Sequence, residues 1–153
     1  MQNPTLNIQM PTILAVDDSY AMQEEIRRTL SDCCRVLVSS NAQDALNLIY
    51  YEKISLLLLD IAMPQLDGIE LCRTVRGMSQ FRSLPIIMLT AKHKFIDKVK
   101  CRLAGATAYV TKPYEPESLC NLVSQYIYPP ATDKAGDGTR THDVYLGKVT
   151  FYH

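Results

Sequence analysis

Four separate segments of the chain place a carboxylate, a hydroxyl or an ammonium group directly after a short apolar run. Asp17 and Asp18 follow the first run, Asp60 another, Thr90 a third and Lys112 the last. Three carboxylates in one crevice repel each other unless a cation neutralises them, and an all-oxygen set favours Mg²⁺. A metal ion, an ammonium group and a hydroxyl around one carboxylate could carry out phosphoryl transfer, with the carboxylate as nucleophile.

These groups can meet only if the elements that carry them end at one place. Apolar runs predict five short strands, and segments of helical period between them predict five helices. The strands are expected at residues 12–16, 35–39, 54–59, 85–89 and 108–111. Strands that alternate with helices are typical of a parallel sheet covered on both faces, an α/β fold. The carboxyl ends of such strands share one edge, which is the usual ligand site.

The fourth predicted helix has an apolar stripe and a basic side. Ile96, Val99 and Leu103 recur at helical spacing and are expected to face the core, with Gly105 closing the helix. Three lysines would lie away from this stripe, either as a solvated face or as a basic docking patch for an acidic partner. These lysines are Lys94, Lys98 and Lys100.

Composition excludes several broad classes. The chain has 153 residues, of which 47% are hydrophobic and 21% charged, a globular profile rather than a disordered one. Basic and acidic residues balance at 16 each, which argues against direct binding to nucleic acid. No signal peptide or membrane span is visible, so we expect a cytoplasmic protein without a membrane partner. The five cysteines lack zinc-site spacing and are interpreted as small core residues.

The predicted elements divide the chain into three parts. Residues 1–11 form an N-terminal extension, residues 12–128 a single domain, and residues 129–153 a linker or tail. Pro129 and Pro130 end the last helix, and a polar segment follows. Residues 144–151 look weakly strand-like, and three interpretations stay open: a docked strand, the beginning of another domain, or disorder.

From residue 12 to residue 128 the chain resembles the receiver domains of bacterial response regulators. The matching motifs are ILAVDDS (13–19), LLLDIAMPQLDG (57–68), IMLTA (87–91) and GATAYVTKPY (105–114). The resemblance implies a flavodoxin-like, doubly wound sheet of five parallel strands in the order 2-1-3-4-5, with five helices.

The resemblance also implies a role for each residue of the polar set. Asp60 would accept a phosphoryl group from a phosphohistidine of a sensor histidine kinase. Asp18 and Asp60 would ligate Mg²⁺ together with the backbone carbonyl of Ala62, and Asp17 would contribute to the metal site mainly through metal-bound water. Lys112 would pair with the phosphoryl oxygens, and its bond to the following proline is expected to be cis.

Further roles concern the response to phosphorylation. Thr90 would hydrogen-bond the phosphoryl group, and Tyr109 would turn inward beside it. That switch would change the surface of the fourth helix, fifth strand and fifth helix, where a downstream protein target would bind. Ala62 and Lys92 occupy positions that tune phosphate lifetime in this family.

The segment 89–113 is similar to receivers of twitching-motility and cyanobacterial phototaxis systems. This similarity suggests control of type IV pili and a chemotaxis-type kinase. Three alternatives remain: the receiver half of a truncated transcription factor, a receiver that signals without phosphate, and a haloacid-dehalogenase-like phosphatase. The phosphatase signature needs two aspartates separated by one residue after the first strand, whereas Asp17 and Asp18 are adjacent.

Overall fold

Strands and helices alternate through the parts of the chain that the computed structural model describes, residues 10–63, 66–90, 95–128 and 149–151. The strands of the main sheet are β1 (Thr12–Val16), β2 (Arg35–Ser39), β3 (Leu56–Asp60), β4 (Ile86–Thr90), β5 (Ala108–Thr111) and β6 (Val149–Phe151). The helices are α1 (Tyr20–Leu30), α2 (Ala42–Tyr51), α3 (Gly68–Arg76), α4 (Phe95–Ala104) and α5 (Pro116–Ile127). A short hairpin, Ala62–Met63 paired with Leu66–Asp67, follows β3, and a 3-10 turn, Ser79–Phe81, follows α3.

The first five strands of the sheet are parallel and lie in the order β2-β1-β3-β4-β5. The predicted order 2-1-3-4-5 is therefore confirmed. β6 adds a sixth strand, antiparallel to β5, with Val149 opposite Val110 and Phe151 opposite Ala108. Of the three interpretations of the chain end, residues 149–151 match a docked strand, while residues 129–148 lie outside the described residues.

The sheet separates two hydrophobic clusters because successive side chains of a strand point to opposite faces. In β3, Leu57 and Leu59 pack into one cluster, and Leu56 and Leu58 into the other. All five residues of β3 are buried. A strand that is buried on both faces has a continuous apolar sequence, which is the pattern observed here.

Side-chain caps fix where three of the helices begin. Ser19 accepts a hydrogen bond from the backbone of Met22 at the start of α1, and Asn41 caps α2 in the same way. Asp67 caps α3 by accepting from the backbone N–H groups of Ile69 and Glu70. Ser19 and Asn41 lie two or three residues after β1 and β2, and Asp67 ends the hairpin, so these caps position loops at the carboxyl edge of the sheet.

The prediction that Val99 and Leu103 of α4 face the core is wrong. Val99 is 38% exposed and Leu103 78% exposed, whereas Cys101 and Ala104 are buried. Lys98 is half-buried, and nothing is described of the Ile96 side chain. The small Cys101 and Ala104 side chains occupy the buried face of the helix, and the larger Val99 and Leu103 side chains point to solvent.

Candidate functional site

Four strand ends bring the predicted polar residues to one edge of the sheet. In the strand register Val16 lies opposite Leu59 and Asp60 opposite Leu89. The residue that follows Val16 is Asp17, so its carboxyl group lies beside that of Asp60. Along β4 and β5, Thr90 pairs with Thr111, the residue before Lys112. This arrangement brings together Asp17, Asp60, Thr90 and Lys112.

The Lys112 ammonium group forms an ion pair with Asp60. Lys112 Nζ lies 3.1 Å from Asp60 Oδ2, and the Asp60 side chain is only 7% exposed. The backbone N–H of Lys112 donates to the carbonyl oxygen of Thr90 at 2.6 Å, which ties the end of β5 to that of β4. The Lys112–Pro113 bond is cis, as the resemblance implied. The ammonium group is thus held within hydrogen-bond reach of the predicted phosphoacceptor.

The Asp17 carboxyl group is buried and only half satisfied. The backbone N–H of Ser19 donates to Asp17 Oδ1 at 2.8 Å, but Asp17 Oδ2 has no hydrogen-bond partner among the described residues. Burial raises the pKa of Asp17, the Ser19 N–H and Lys112 lower it, and the neighbouring Asp60 carboxyl raises it, so that the net pKa is about 6. In the described part of the chain, the Lys112 ammonium group alone therefore has to neutralise two neighbouring carboxyl groups, those of Asp17 and Asp60.

A divalent cation would supply the positive charge that these two carboxyl groups lack. Mg²⁺ commonly binds to one or two carboxylates and keeps several waters, and Asp17 and Asp60 supply such a pair. Asp18 is exposed at the same edge, and no three acidic, histidine or cysteine side chains converge as a metal site in the described ranges. The Asp18 and Ala62 ligands therefore stay predictions. Ala62 begins the short hairpin two residues after Asp60.

Two switch residues of the predicted set are buried. Thr90 is 1% exposed, and its Oγ1 has no hydrogen-bond partner among the described residues. Tyr109 is 2% exposed, and the Lys98 ammonium group lies 5.2 Å from the centre of its ring. Tyr109 thus adopts the inward position in this structure. Lys92 lies outside the described residues.

Comparison with known proteins decides the family. A family model described as the response regulator receiver domain matches residues 13–124. The chain belongs to the response regulator receiver family. Receivers are the signalling components of two-component systems, so the phosphatase alternative is set aside.

Relatives of this receiver include short and long proteins. It is 32% identical to PilG of Pseudomonas aeruginosa, and the match covers 75% of this chain and 86% of PilG. It is 35% identical to the response regulator MprA of Mycobacterium leprae over 90% of this chain, which spans 61% of MprA.

Solved structures agree with the fold of this receiver. The chemotaxis response regulator CheY4 of Vibrio cholerae superposes with a TM-score of 0.71 at 30% identity, over 77% of this chain and 99% of CheY4. The BeF3-activated receiver domain of DrrB, a Thermotoga maritima protein, gives 0.69 at 30% identity, over 77% of this chain and 97% of that domain. No described helix of this receiver is both long and apolar enough to cross a membrane.

Sequence reasoning missed two residues that position the receiver site. Gln23 is buried in α1, and its Nε2 donates to the carbonyl oxygen of Asp17 at 2.6 Å and to Ser40 Oγ at 3.0 Å. The available sequence signal was that Gln23 is a polar residue three positions before Ile26, which is also buried in α1. Gly68 is the second, since a Cβ there would collide with the carbonyl oxygen of Asp60. The backbone of α3 can approach Asp60 only because residue 68 has no side chain.

Proposed function

We propose that Asp60 accepts a phosphoryl group from a phosphohistidine of a sensor histidine kinase in a Mg²⁺-dependent reaction. One observation carries this proposal. The Lys112 ammonium group contacts Asp60 at 3.1 Å, and this pair is flanked by two buried oxygens, Asp17 Oδ2 and Thr90 Oγ1, that have no partner among the described residues. Buried polar atoms are rarely unsatisfied, so a site with two of them fits a ligand.

In the proposed reaction an oxygen of Asp60 attacks the phosphorus atom and the imidazole nitrogen of the kinase leaves. Lys112 neutralises charge on the phosphoryl oxygens, and the Thr90 hydroxyl donates to one of them once the phosphoryl group is attached. Mg²⁺, when bound, would neutralise negative charge at the phosphoryl group and at the carboxylates, held by Asp17 and Asp60 with Asp18 and the Ala62 carbonyl. The similarity to the BeF3-activated DrrB receiver supports this chemistry.

The proposed output is a change at the α4–β5–α5 surface, which would bind a downstream protein target. Movement of Thr90 toward the phosphoryl group would favour the inward Tyr109 seen in this structure. Ala62 and Lys92 would tune the lifetime of the phosphate. The balanced charge of the chain supports a protein target rather than direct contact with nucleic acid.

The proposed pathway is control of type IV pili or phototaxis, in the cytoplasm, under a chemotaxis-type kinase. It rests on the similarity of residues 89–113 to receivers of such systems and agrees with the match to PilG over most of its length. The match to part of MprA keeps the alternative of a receiver attached to a further output domain.

The test is intact mass after incubation with Mg²⁺ and acetyl phosphate. We expect one phosphoryl group on the wild type and none on Asp60→Asn or on wild type treated with a chelator. Asp32→Asn is the matched control, because this exposed carboxylate lies in the turn after α1, away from the carboxyl edge of the sheet, and should not affect labelling. An unlabelled wild type that still binds Mg²⁺ would instead support a receiver that signals without phosphate.

A further inference from the structure

Two cysteines meet where the turn after α1 packs against α5. Cys33 lies in the turn that follows α1, and Cys120 lies in α5. Their sulfur atoms are 3.6 Å apart, although the residues are 87 positions apart in sequence. The same two elements are joined a second time, because the Tyr128 hydroxyl donates to the carbonyl oxygen of Cys33 at 3.0 Å.

The environment of this pair differs from that of the other cysteines. Cys33 and Cys120 are only partly buried, whereas Cys34, Cys72 and Cys101 are buried. A small oxidant can therefore reach the pair more readily than the other three thiols. A disulfide has a sulfur–sulfur distance of about 2.05 Å, so the two atoms need to approach by roughly 1.5 Å.

We propose that Cys33 and Cys120 are a reversible oxidation site, at which a hydroperoxide converts the two thiols into a disulfide within the native fold. One thiolate attacks the peroxide, the O–O bond breaks, and a sulfenic acid forms with loss of water or an alcohol. The second thiol then attacks the sulfenic sulfur, the S–O bond breaks, and a second water leaves as the disulfide forms. Two electrons pass from the two sulfurs to the peroxide, and a dithiol reductant reverses the change.

The surroundings of Cys120 disfavour its thiolate, which is the form that attacks an oxidant. Burial raises the pKa of the Cys120 thiol, and the neighbouring Cys33 and Asp32 raise it further, while Ser124 lowers it. The thiol form therefore predominates at neutral pH. When the disulfide forms, it ties α5 to the turn after α1, and α5 is part of the surface that would bind the downstream target.

The experiment treats the reduced, full-length wild type with hydrogen peroxide and counts the thiols that remain open to alkylation after denaturation. We expect a loss of two of the five thiols, a mass decrease of two hydrogens, and a cross-linked Cys33–Cys120 peptide. Dithiothreitol should restore all five. Cys33→Ser and Cys120→Ser should each abolish the cross-link, whereas the control Cys34→Ala should keep it.

A thermal measurement tests whether the bond fits the native fold. The disulfide closes a long loop, so the oxidised protein should melt roughly 5 to 15 °C higher than the reduced protein. A lower melting temperature would mean that the bond strains the native fold and does not fit it. That result would overturn the proposal, as would a cross-link between Cys33 and Cys34, a bond between two molecules, or five intact thiols.

Discussion

At the scale of single residues, the acidic edge is assembled at a cost in stability. Asp17 and Asp60 are both buried, and one ammonium group, Lys112, is paired with Asp60. Moving a charged group out of water costs free energy unless an opposite charge or hydrogen bonds offset that cost. Asp17 Oδ2 has no hydrogen-bond partner among the described residues. The protein keeps a site that destabilises the fold in the absence of a cation, which is common where chemistry requires it.

The first prediction concerns Asp17→Asn in a chelator. Because the folded-state pKa of Asp17 is about 6 and its ordinary value is 3.8, the folded state holds this proton more tightly than the unfolded chain. Stability is therefore lost as the pH rises through about 6. We expect the asparagine variant to be more stable than wild type by about 2 kcal/mol at pH 7.5 and by little at pH 4. Urea unfolding at both pH values measures this difference.

The control for this prediction is Asp18→Asn, which removes a neighbouring charge from an exposed position. Its stability should stay within about 0.5 kcal/mol of wild type at both pH values. If Asp17→Asn showed the same difference from wild type at pH 4 and pH 7.5, titration of Asp17 would not be its source. Added Mg²⁺ should reduce the advantage of Asp17→Asn, because the cation compensates the wild-type carboxylates.

At the scale of elements, α4 links the site to the surface. Lys98 is half-buried and lies over the Tyr109 ring of β5, whereas Val99 and Leu103 on the same helix face solvent. A cation over an aromatic face is attracted by the ring and contributes about 0.5–2 kcal/mol. Lys98 thus helps to hold Tyr109 inward from the neighbouring element, a role different from the solvated face or docking patch predicted for it.

The second prediction is a double-mutant cycle between these two elements. Lys98→Met keeps the length of the side chain and removes its charge, and Tyr109→Leu removes the ring. We expect a coupling energy of about 0.5–1 kcal/mol in chemical unfolding, since each single variant loses the same interaction. Lys100→Met in place of Lys98→Met is the control, because Lys100 is exposed, and its coupling to Tyr109 should be close to zero. Equal coupling for the two lysines would contradict a specific contact.

The sequence predicted elements best where local signals were strong. β1, β2 and β5 begin and end as expected, because each is a continuous run of strand residues bounded by polar or turn residues. The site residues could be predicted because they follow or end predicted strands, and parallel strands share one carboxyl edge. The face of α4 could not be predicted from apolar periodicity, because Cys101 and Ala104 fill the buried positions while Leu103 is exposed.

At the scale of the whole molecule, contacts between distant segments were beyond the sequence. Arg76, in the last turn of α3, donates to the carbonyl oxygens of Phe81, Leu84 and Gly105 and to Thr107 Oγ1. These hydrogen bonds connect the segment after α3 to the turn after α4. An arginine at a helix end is ordinarily interpreted as a charge that complements the helix dipole, so no local pattern distinguishes this role.

The third prediction concerns β6, which covers the edge of the sheet at β5. Deleting residues 129–153 should expose the backbone groups of β5 that pair with Val149–Phe151. We expect amide hydrogen exchange of Ala108–Thr111 to accelerate by about tenfold or more. A chain that lacks only Tyr152 and His153 is the control and should exchange like the wild type. Unchanged protection of β5 after the longer deletion would show that β6 does not pair stably.

The sheet order has a consequence for the chain during its synthesis. β1 is made first but lies between β2 and β3, so one of its two neighbours is made only about 40 residues later. At ribosomal speeds of about 5–20 residues per second, that interval lasts roughly 2 to 8 s. During those seconds one edge of the apolar β1 has no strand to pair with, so the central part of the sheet cannot form until β3 has been made.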